Sequence, residues 1–385
     1  MSAPIVLPRL MHIGRNACGK IPETLAALGC SKPLIVTDKM MVQLGYTARI
    51  TDILTASGIT ADIYSDTVPE PTDTSIAGGV EMVGRGDYDS VIALGGGSPI
   101  DSAKAIAVMG KHGGSIRDYR FPRQVNEAGL PLIAVPTTAG TGSECTRFTI
   151  ITDEAANEKL LCVGLGFMPA AAIVDYTLTV SVPPRTTADT GIDALTHAIE
   201  AYVSRKANPF SDMQALAAMR LIGPNLRTVY HDGGNEAARE AMMLGSMLAG
   251  MAFSNASVAL VHGMSRPVGA FFHVPHGLSN AMLLPAVTAY SIPAAESRYA
   301  DCARAIGVAL PDDGNDTANR KLLSELEALN RELNVPTLAQ FGVRREDFDA
   351  VTDTMAQQAL ASGSPANNPR IPEHEEIAAL YRQLW

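Results

Sequence analysis

The sequence predicts two domains of different class: an N-terminal α/β domain on a mainly parallel sheet, residues 1–182, and an all-helical C-terminal domain, residues 183–385. Three observations lead there. Short β-rich runs alternate with helical patterns through the first half. The texture changes at Val182-Pro183-Pro184, after which β-rich runs all but vanish. A chain of 385 residues also fits two domains of ordinary size.

In the first half, PLIVTD (33–38), ADIYSD (61–66), SVIALGGG (90–97), PLIAVPTT (131–138) and AAIVDY (171–176) read as buried strands. Residues 41–58 and 72–86 read as intervening helices, which suits a parallel sheet covered on both faces. Beyond the boundary, helical patterns occupy 188–204, 212–230, 236–254 and 319–333. Residues 241–265 contain no Asp, Glu, Lys or Arg and are long enough to span a bilayer. Ser246, Ser254, Asn255, Ser257 and His262 interrupt that run, and no second span accompanies it. A buried central helix closed by His262 is therefore expected, with no membrane partner.

The chain is 46% hydrophobic and 18% charged, enough to bury a large core. Its net charge of −10 argues against nucleic-acid binding, which needs a basic surface. The five cysteines, Cys18, Cys30, Cys145, Cys162 and Cys302, are odd in number and form no CxxC pair. Free thiols in a reducing compartment, hence a cytoplasmic protein, are expected. The segment MSAPIVLPRL has no basic stretch followed by a long apolar core, so no signal peptide is read there.

SVIALGGGSPIDSAKAIAV reads as strand, glycine turn and helix. Ser98 sits where an N-cap belongs, Pro99 suits the first helical position, and Asp101 falls three residues on, as in a capping box. Gly95, Gly96 and Gly97 let the backbone turn sharply and approach a ligand. Free amides and the dipole at that helix start make an anion site suited to a dinucleotide pyrophosphate. The alternative is a tight turn with no ligand, because the run is neither GxGxxG nor a P-loop. Asp38 ends the first confident strand. It either accepts from the ribose hydroxyls of NAD and repels the extra phosphate of NADP, or simply caps a helix.

Asp193 and His197 are four apart within GIDALTHAIEAY, one turn apart on one face of an otherwise apolar helix. His262 and His276 lie in apolar surroundings further on. A lone histidine on an apolar face is usually a satisfied core residue. One carboxylate and three imidazoles together form a complete ligand set for a divalent first-row metal.

With these motifs the chain resembles the iron-containing (group III) alcohol dehydrogenases. The matching elements are GGGSPIDSAKAIA, PTTAGTGSE (136–144), ITDE (151–154), GIDALTHAIEAYVS and VHGM…PHGLSNAMLLP, in the family's order from Asp38 to Pro285. The resemblance implies a dehydroquinate-synthase-like fold and NAD-linked hydride transfer at a metal-bound alcohol or carbonyl. It implies Asp193, His197, His262 and His276 as ligands of Fe(2+), with Zn(2+), which binds such ligands more tightly in the general affinity order, as the alternative according to supply and geometry. Gly96, Gly97, Ser98 and Asp101 would hold the pyrophosphate and its surroundings. Thr137, Thr138 and Thr141 would line the cofactor site, and Lys159 and Leu178 would meet the ribose and adenine region. It strengthens Asp38 as an NAD selector. It also implies a small alcohol or aldehyde substrate and a homodimer or larger assembly.

Two positions depart from the family pattern. Where the family usually has a histidine four residues after the third ligand, this chain has Arg266, which cannot shuttle a proton near neutral pH. Arg266 either reads an anionic substrate, such as 4-hydroxybutyrate or succinate semialdehyde, or pairs with a nearby acid or the cofactor phosphates. His273 is then a candidate proton relay, with a structural role or a fifth ligand as alternatives. The second departure is Glu70, where the family commonly has asparagine; a carboxylate there favours NAD over NADP. Cys145 follows the TGSE loop, but alcohol oxidation needs no thiol. Other readings are a simple primary-alcohol or diol dehydrogenase, or a metal-dependent lyase or polyol-phosphate dehydrogenase on the same scaffold. The last two need several basic residues around a phosphorylated substrate, and only Arg266 lies near the metal motifs.

Overall fold

A computed structural model describes residues 4–156 and 158–385. The chain divides into two compact units, one of residues 6–181 and one of residues 182–385 with 4 and 5.

The first unit carries strands β1 (Leu10–Ile13), β2 (Pro33–Val36), β3 (Asp62–Tyr64), β4 (Ser90–Gly95), β5 (Leu132–Pro136), β6 (Phe148–Asp153), β7 (Glu158–Val163) and β8 (Ala171–Val174). Its helices are α1 (Ile21–Leu28), α2 (Lys39–Gln43), α3 (Tyr46–Thr55), α4 (Asp73–Gly84) and α5 (Gly97–His112). Six strands form one wholly parallel sheet in the order β1-β8-β5-β4-β2-β3, the α/β class expected. Central strands β2, β4, β5 and β8 are buried throughout, which is why their sequences read as apolar runs. Alternate side chains feed two cores, one around Val36, Ala93, Ile106 and Ala134, the other around Ile35, Ile92, Ile133 and Ile173. β6 and β7 form a separate antiparallel hairpin that the sequence reading did not single out.

The helix expected over 41–58 is two helices. Gly45 adopts φ 77, a left-handed conformation that stops α2 and starts α3 in a new direction. α4 falls within the expected 72–86, with Thr72 and Ser75 forming a capping box.

The second unit is helical: α6 (Pro184–Val203), α7 (Pro209–His231), α8 (Glu236–Asn255), α9 (Leu260–Phe272), α10 (His276–Ser291), α11 (Glu296–Ile306), α12 (Asn315–Glu332), α13 (Leu338–Phe341), α14 (Arg345–Ala361) and α15 (His374–Arg382). Pro184 sits in the first turn of α6, where its missing N–H costs nothing. α6 is buried from Gly191 to Val203 and packs against α7, α8 and α10. The run 241–265 is not one helix. α8 ends at Asn255, and α9 departs at 102°, so His262 lies in the first turn of α9 rather than at the end of a long helix. Among the described residues no single helix is long and apolar enough to cross a membrane; α8 and α9 meet that test only as this bent pair.

Candidate metal and cofactor sites

The metal motif starts on α6. Asp193 and His197 lie one turn apart and point into the helical core, 2% and 4% exposed. His262 enters from the first turn of α9 and His276 from the first residue of α10. One ligand atom from each of the four lies within 4.8 Å of the other three. From Asp193 Oδ1 the distances are 3.9 Å to His197 Nε2, 3.5 Å to His262 Nε2 and 3.7 Å to His276 Nε2. His276 is the outermost, with its side chain 42% exposed.

The donor set fits a divalent cation. Asn280 Nδ2 donates to Asp193 Oδ1 at 2.7 Å and lies 3.2 Å from both His262 Nε2 and His276 Nε2, so those lone pairs converge on one point. Asn280 Oδ1 is buried there with no hydrogen-bond partner among the described residues. His262 Nδ1 faces Glu200 Oε2 at 2.6 Å, which turns the Nε2 lone pair toward Asp193. Burial opposes the charge of Asp193, but His197, His276 and His262 outweigh it and hold the carboxyl well below the usual range. His197 stacks on Phe253, with ring centroids 4.3 Å apart.

Sequence reading missed Glu200 and Asn280. Glu200 is seven residues after Asp193 on the same helical face, and Asn280 is four after His276. Neither has a signal of its own until the helices are assembled.

Arg266 sits one turn after His262 on α9. Burial lowers its pKa and only Glu200 opposes that. Its one side-chain hydrogen bond is from Nη1 to Ser364 Oγ at 3.2 Å, and it makes no ion pair among the described residues. His273 ends α9 in a left-handed conformation, φ 55, and is exposed. The fold therefore puts it at a solvent-facing corner three residues before His276.

In the first unit, the glycine turn follows β4 as expected, but its cap differs. Gly96 is the N-cap, α5 begins at Gly97, and Ser98 and Asp101 lie inside the helix. Ser98 Oγ instead accepts from Glu70 N at 3.2 Å. Asp101 forms no capping box; it accepts from Ser143 Oγ at 2.8 Å and Ile150 N at 3.0 Å, tying the loop after β5 and strand β6 to α5. Gly95 adopts φ 147, and a Cβ there would lie 2.6 Å from Pro99 Cγ. A Cβ on Gly97 would lie 2.8 Å from Thr141 Cγ2, and one on Gly96 3.3 Å from Thr138 Oγ1. The turn is thus closely faced by Thr138 and Thr141, while Thr137 donates its N–H to Gly95 O.

Lys159 Nζ is bound to Glu70 Oε1 at 2.8 Å. Glu70 adopts φ 52, a conformation that asparagine tolerates better than glutamate. Asp38 caps α2 through Met41 N. Leu178 is 0% exposed, its side chain packed in the core cluster around Ile35, Ile92, Ile133 and Ile173.

Comparison with known proteins adds the following. Residues 8–176 match the family model described as iron-containing alcohol dehydrogenase. Residues 187–385 match the C-terminal model of the Fe-containing alcohol dehydrogenase family. The chain is 38% identical to lactaldehyde reductase of Escherichia coli (strain K12), covering 100% of both chains. It superposes on a crystal structure of 1,3-propanediol oxidoreductase with a TM-score of 0.96 at 35% identity, covering 100% of each. It also resembles sulfoacetaldehyde reductase from Bifidobacterium kashiwanohense in complex with NAD+, with a TM-score of 0.89 at 29% identity, covering 100% of this chain and 99% of that one.

Proposed function

The chain belongs to the iron-containing alcohol dehydrogenase family, and on that premise we propose that this metal-dependent, NAD-linked enzyme interconverts a short hydroxy acid and its aldehyde. One observation carries the substrate class: beside the ligand cluster stands a desolvated guanidinium with no acid partner among the described residues. Such a group gains most from a carboxylate or sulfonate, which it pairs with two parallel hydrogen bonds. The anionic substrate named for the sulfoacetaldehyde reductase relative is consistent with that reading.

Asp193, His197, His262 and His276 would hold the metal, which when bound supplies a Lewis acid for the substrate oxygen. The first turn of α5 would hold the cofactor pyrophosphate, with Thr138 and Thr141 against it. Asp38 would meet the adenosine ribose and exclude a 2′-phosphate. Arg266 would orient the far end of the substrate. Proton exit is assigned to His273, since Arg266 holds its proton. His273→Gln then lowers kcat about tenfold or more, and added imidazole restores part of it. A variant with unchanged kcat leaves His273 a structural corner.

Arg266→Met tests the substrate class. Relative to the wild type, kcat/KM for a carboxylate-bearing aldehyde should fall roughly 10- to 100-fold further than for its uncharged counterpart, the strength of a charge-assisted pair. Equal losses on both would remove the anion. A neutral alcohol or diol is the second reading, favoured by the bond to Ser364 that already gives Arg266 a structural use.

The same reading makes the protein a cytoplasmic homodimer or larger assembly without nucleic-acid or membrane partners. The net charge of −10 and five buried free cysteines support that setting, and sedimentation velocity tests the assembly.

A further inference from the structure

We propose that Glu200 is a positioning residue of the metal centre: its carboxylate fixes the ring orientation and tautomer of His262 and, through the same oxygens, sets where α9 begins. The inference rests on the metal-centre reading and concerns a residue outside the four ligands.

The placement follows from helix geometry. Residues 193, 197 and 200 recur at i, i+4 and i+7, so Glu200 lies on the face of α6 that carries two ligands. It is 3% exposed, and a carboxylate so buried needs its oxygens filled. Three donors fill them. Oε2 accepts from Ala259 N at 2.9 Å and faces His262 Nδ1 at 2.6 Å. Oε1 accepts from Val261 N at 2.6 Å.

Among the described residues no local side chain caps α9. Its N-cap residue is Ala259, which has no polar atom beyond the backbone. Glu200 supplies from α6 the oxygens that a capping side chain would supply, and its negative charge complements the helix dipole. The bend that splits the apolar run 241–265 is therefore held at the point where it delivers His262.

The imidazole contact does a separate task. With Nδ1–H donated to Glu200, Nε2 is left as the acceptor that points toward Asp193. The charges also match. Among the described residues no Lys or Arg forms an ion pair with Glu200. Two buried carboxylates, Asp193 and Glu200, match the charge of one divalent cation.

The test measures metal affinity, by competition with a chromophoric chelator, on the full-length protein loaded with Fe(II) or Zn(II). Glu200→Gln keeps the side-chain volume but removes the charge. It should raise the metal Kd about 10- to 100-fold, the cost typical of losing such a partner. Glu200→Asp, which restores the charge, should recover part of that loss. Asp193→Asn serves as the control and should abolish tight binding. Unchanged affinity in Glu200→Gln, with a lower melting temperature alone, would reduce Glu200 to a helix cap and overturn the proposal. Unchanged affinity in Asp193→Asn would overturn the metal centre itself. Should Glu200→Gln not fold, equal affinity of Glu200→Asp and wild type at a shorter reach would count against fixed ring positioning.

Discussion

Asp38 has two carboxylate oxygens, and among the described residues they have one hydrogen-bond partner. Oδ1 accepts from Met41 N at 2.9 Å and caps α2, which leaves Oδ2 for a ligand. Capping and cofactor choice are thus compatible, and substitution separates them. Asp38→Asn retains a capping oxygen and removes the charge, so kcat/KM with NADP should rise tenfold or more while the melting temperature holds. Steady-state kinetics with both cofactors checks this; an unchanged NAD to NADP ratio would leave Asp38 a cap. Glu144 offers a pH test away from the chemistry. It is 2% exposed, and burial raises its pKa from 4.5 to about 7, with its own backbone N–H and Lys104 pulling the other way. The folded state therefore keeps a proton that the unfolded state releases near 4.5. Its contribution is fully present below pH 4.5 and is lost as pH rises through 7, by up to about 3 kcal/mol. Glu144→Gln should remove that loss, so its gain in melting temperature over wild type should be larger at pH 8 than at pH 5. A gain independent of pH would mean that Glu144 stays ionised.

Elements, rather than single residues, make the loop after β5 rigid. Lys104, in the third turn of α5, is 1% exposed and donates to Ser143 Oγ at 2.8 Å, Thr146 Oγ1 at 2.9 Å and Phe148 O at 2.7 Å. Burial lowers its pKa to about 8, opposed by Asp101 and Glu144. One helix thus presents the glycine turn at its first residues and anchors the threonine loop facing that turn from a later one. Lys104→Met should raise the NADH Kd, read by fluorescence titration, about tenfold with a smaller change in kcat at saturation. A change in kcat alone would detach Lys104 from cofactor binding. These elements were unequally legible. Strands β2, β3, β4, β5 and β8 each fall inside a run read as β; β2, β4, β5 and β8 do so because strands covered on both faces must be apolar throughout, whereas β3 is a mostly exposed edge strand. The errors at their ends are two residues or fewer, where turn and strand compositions overlap. The breaks at Gly45 and at residues 256–259 were not legible. The first depends on one backbone angle, the second on a carboxylate from α6 reaching the start of α9. Asp193 and His197 stood out because four-residue spacing is a local signal. Glu200 and Asn280 did not, because their meaning comes from partners on other helices, Ala259 and His262 for Glu200, 59 and 62 residues away, and Asp193 for Asn280, 87 residues away.

At the scale of the molecule, the proposed metal ligands and their supports all lie in the unit of residues 182–385, and the glycine turn with its threonine loop lies in the unit of residues 6–181. Within the first, α6, α9 and α10 are joined at one buried point by Asp193, Glu200 and Asn280. A bound cation adds a tie to the same three helices. Stripping it with a chelator should therefore loosen a specific set of elements. Hydrogen exchange should rise in the first turns of α9 and α10 and around residues 193–200 of α6. The amides of β4 and the first turns of α5 should exchange as before. Since a ligand that binds only the folded state stabilises by RT ln(1 + [L]/Kd), a site kept a thousandfold above its Kd loses about 4 kcal/mol on stripping. That loss should appear calorimetrically as a lower melting temperature of the helical unit, while NADH affinity measured on the stripped protein stays within about twofold. Equal loss of protection in both units would mean that the cation stabilises the whole chain cooperatively. No change in either would remove the cation from Asp193, His197, His262 and His276.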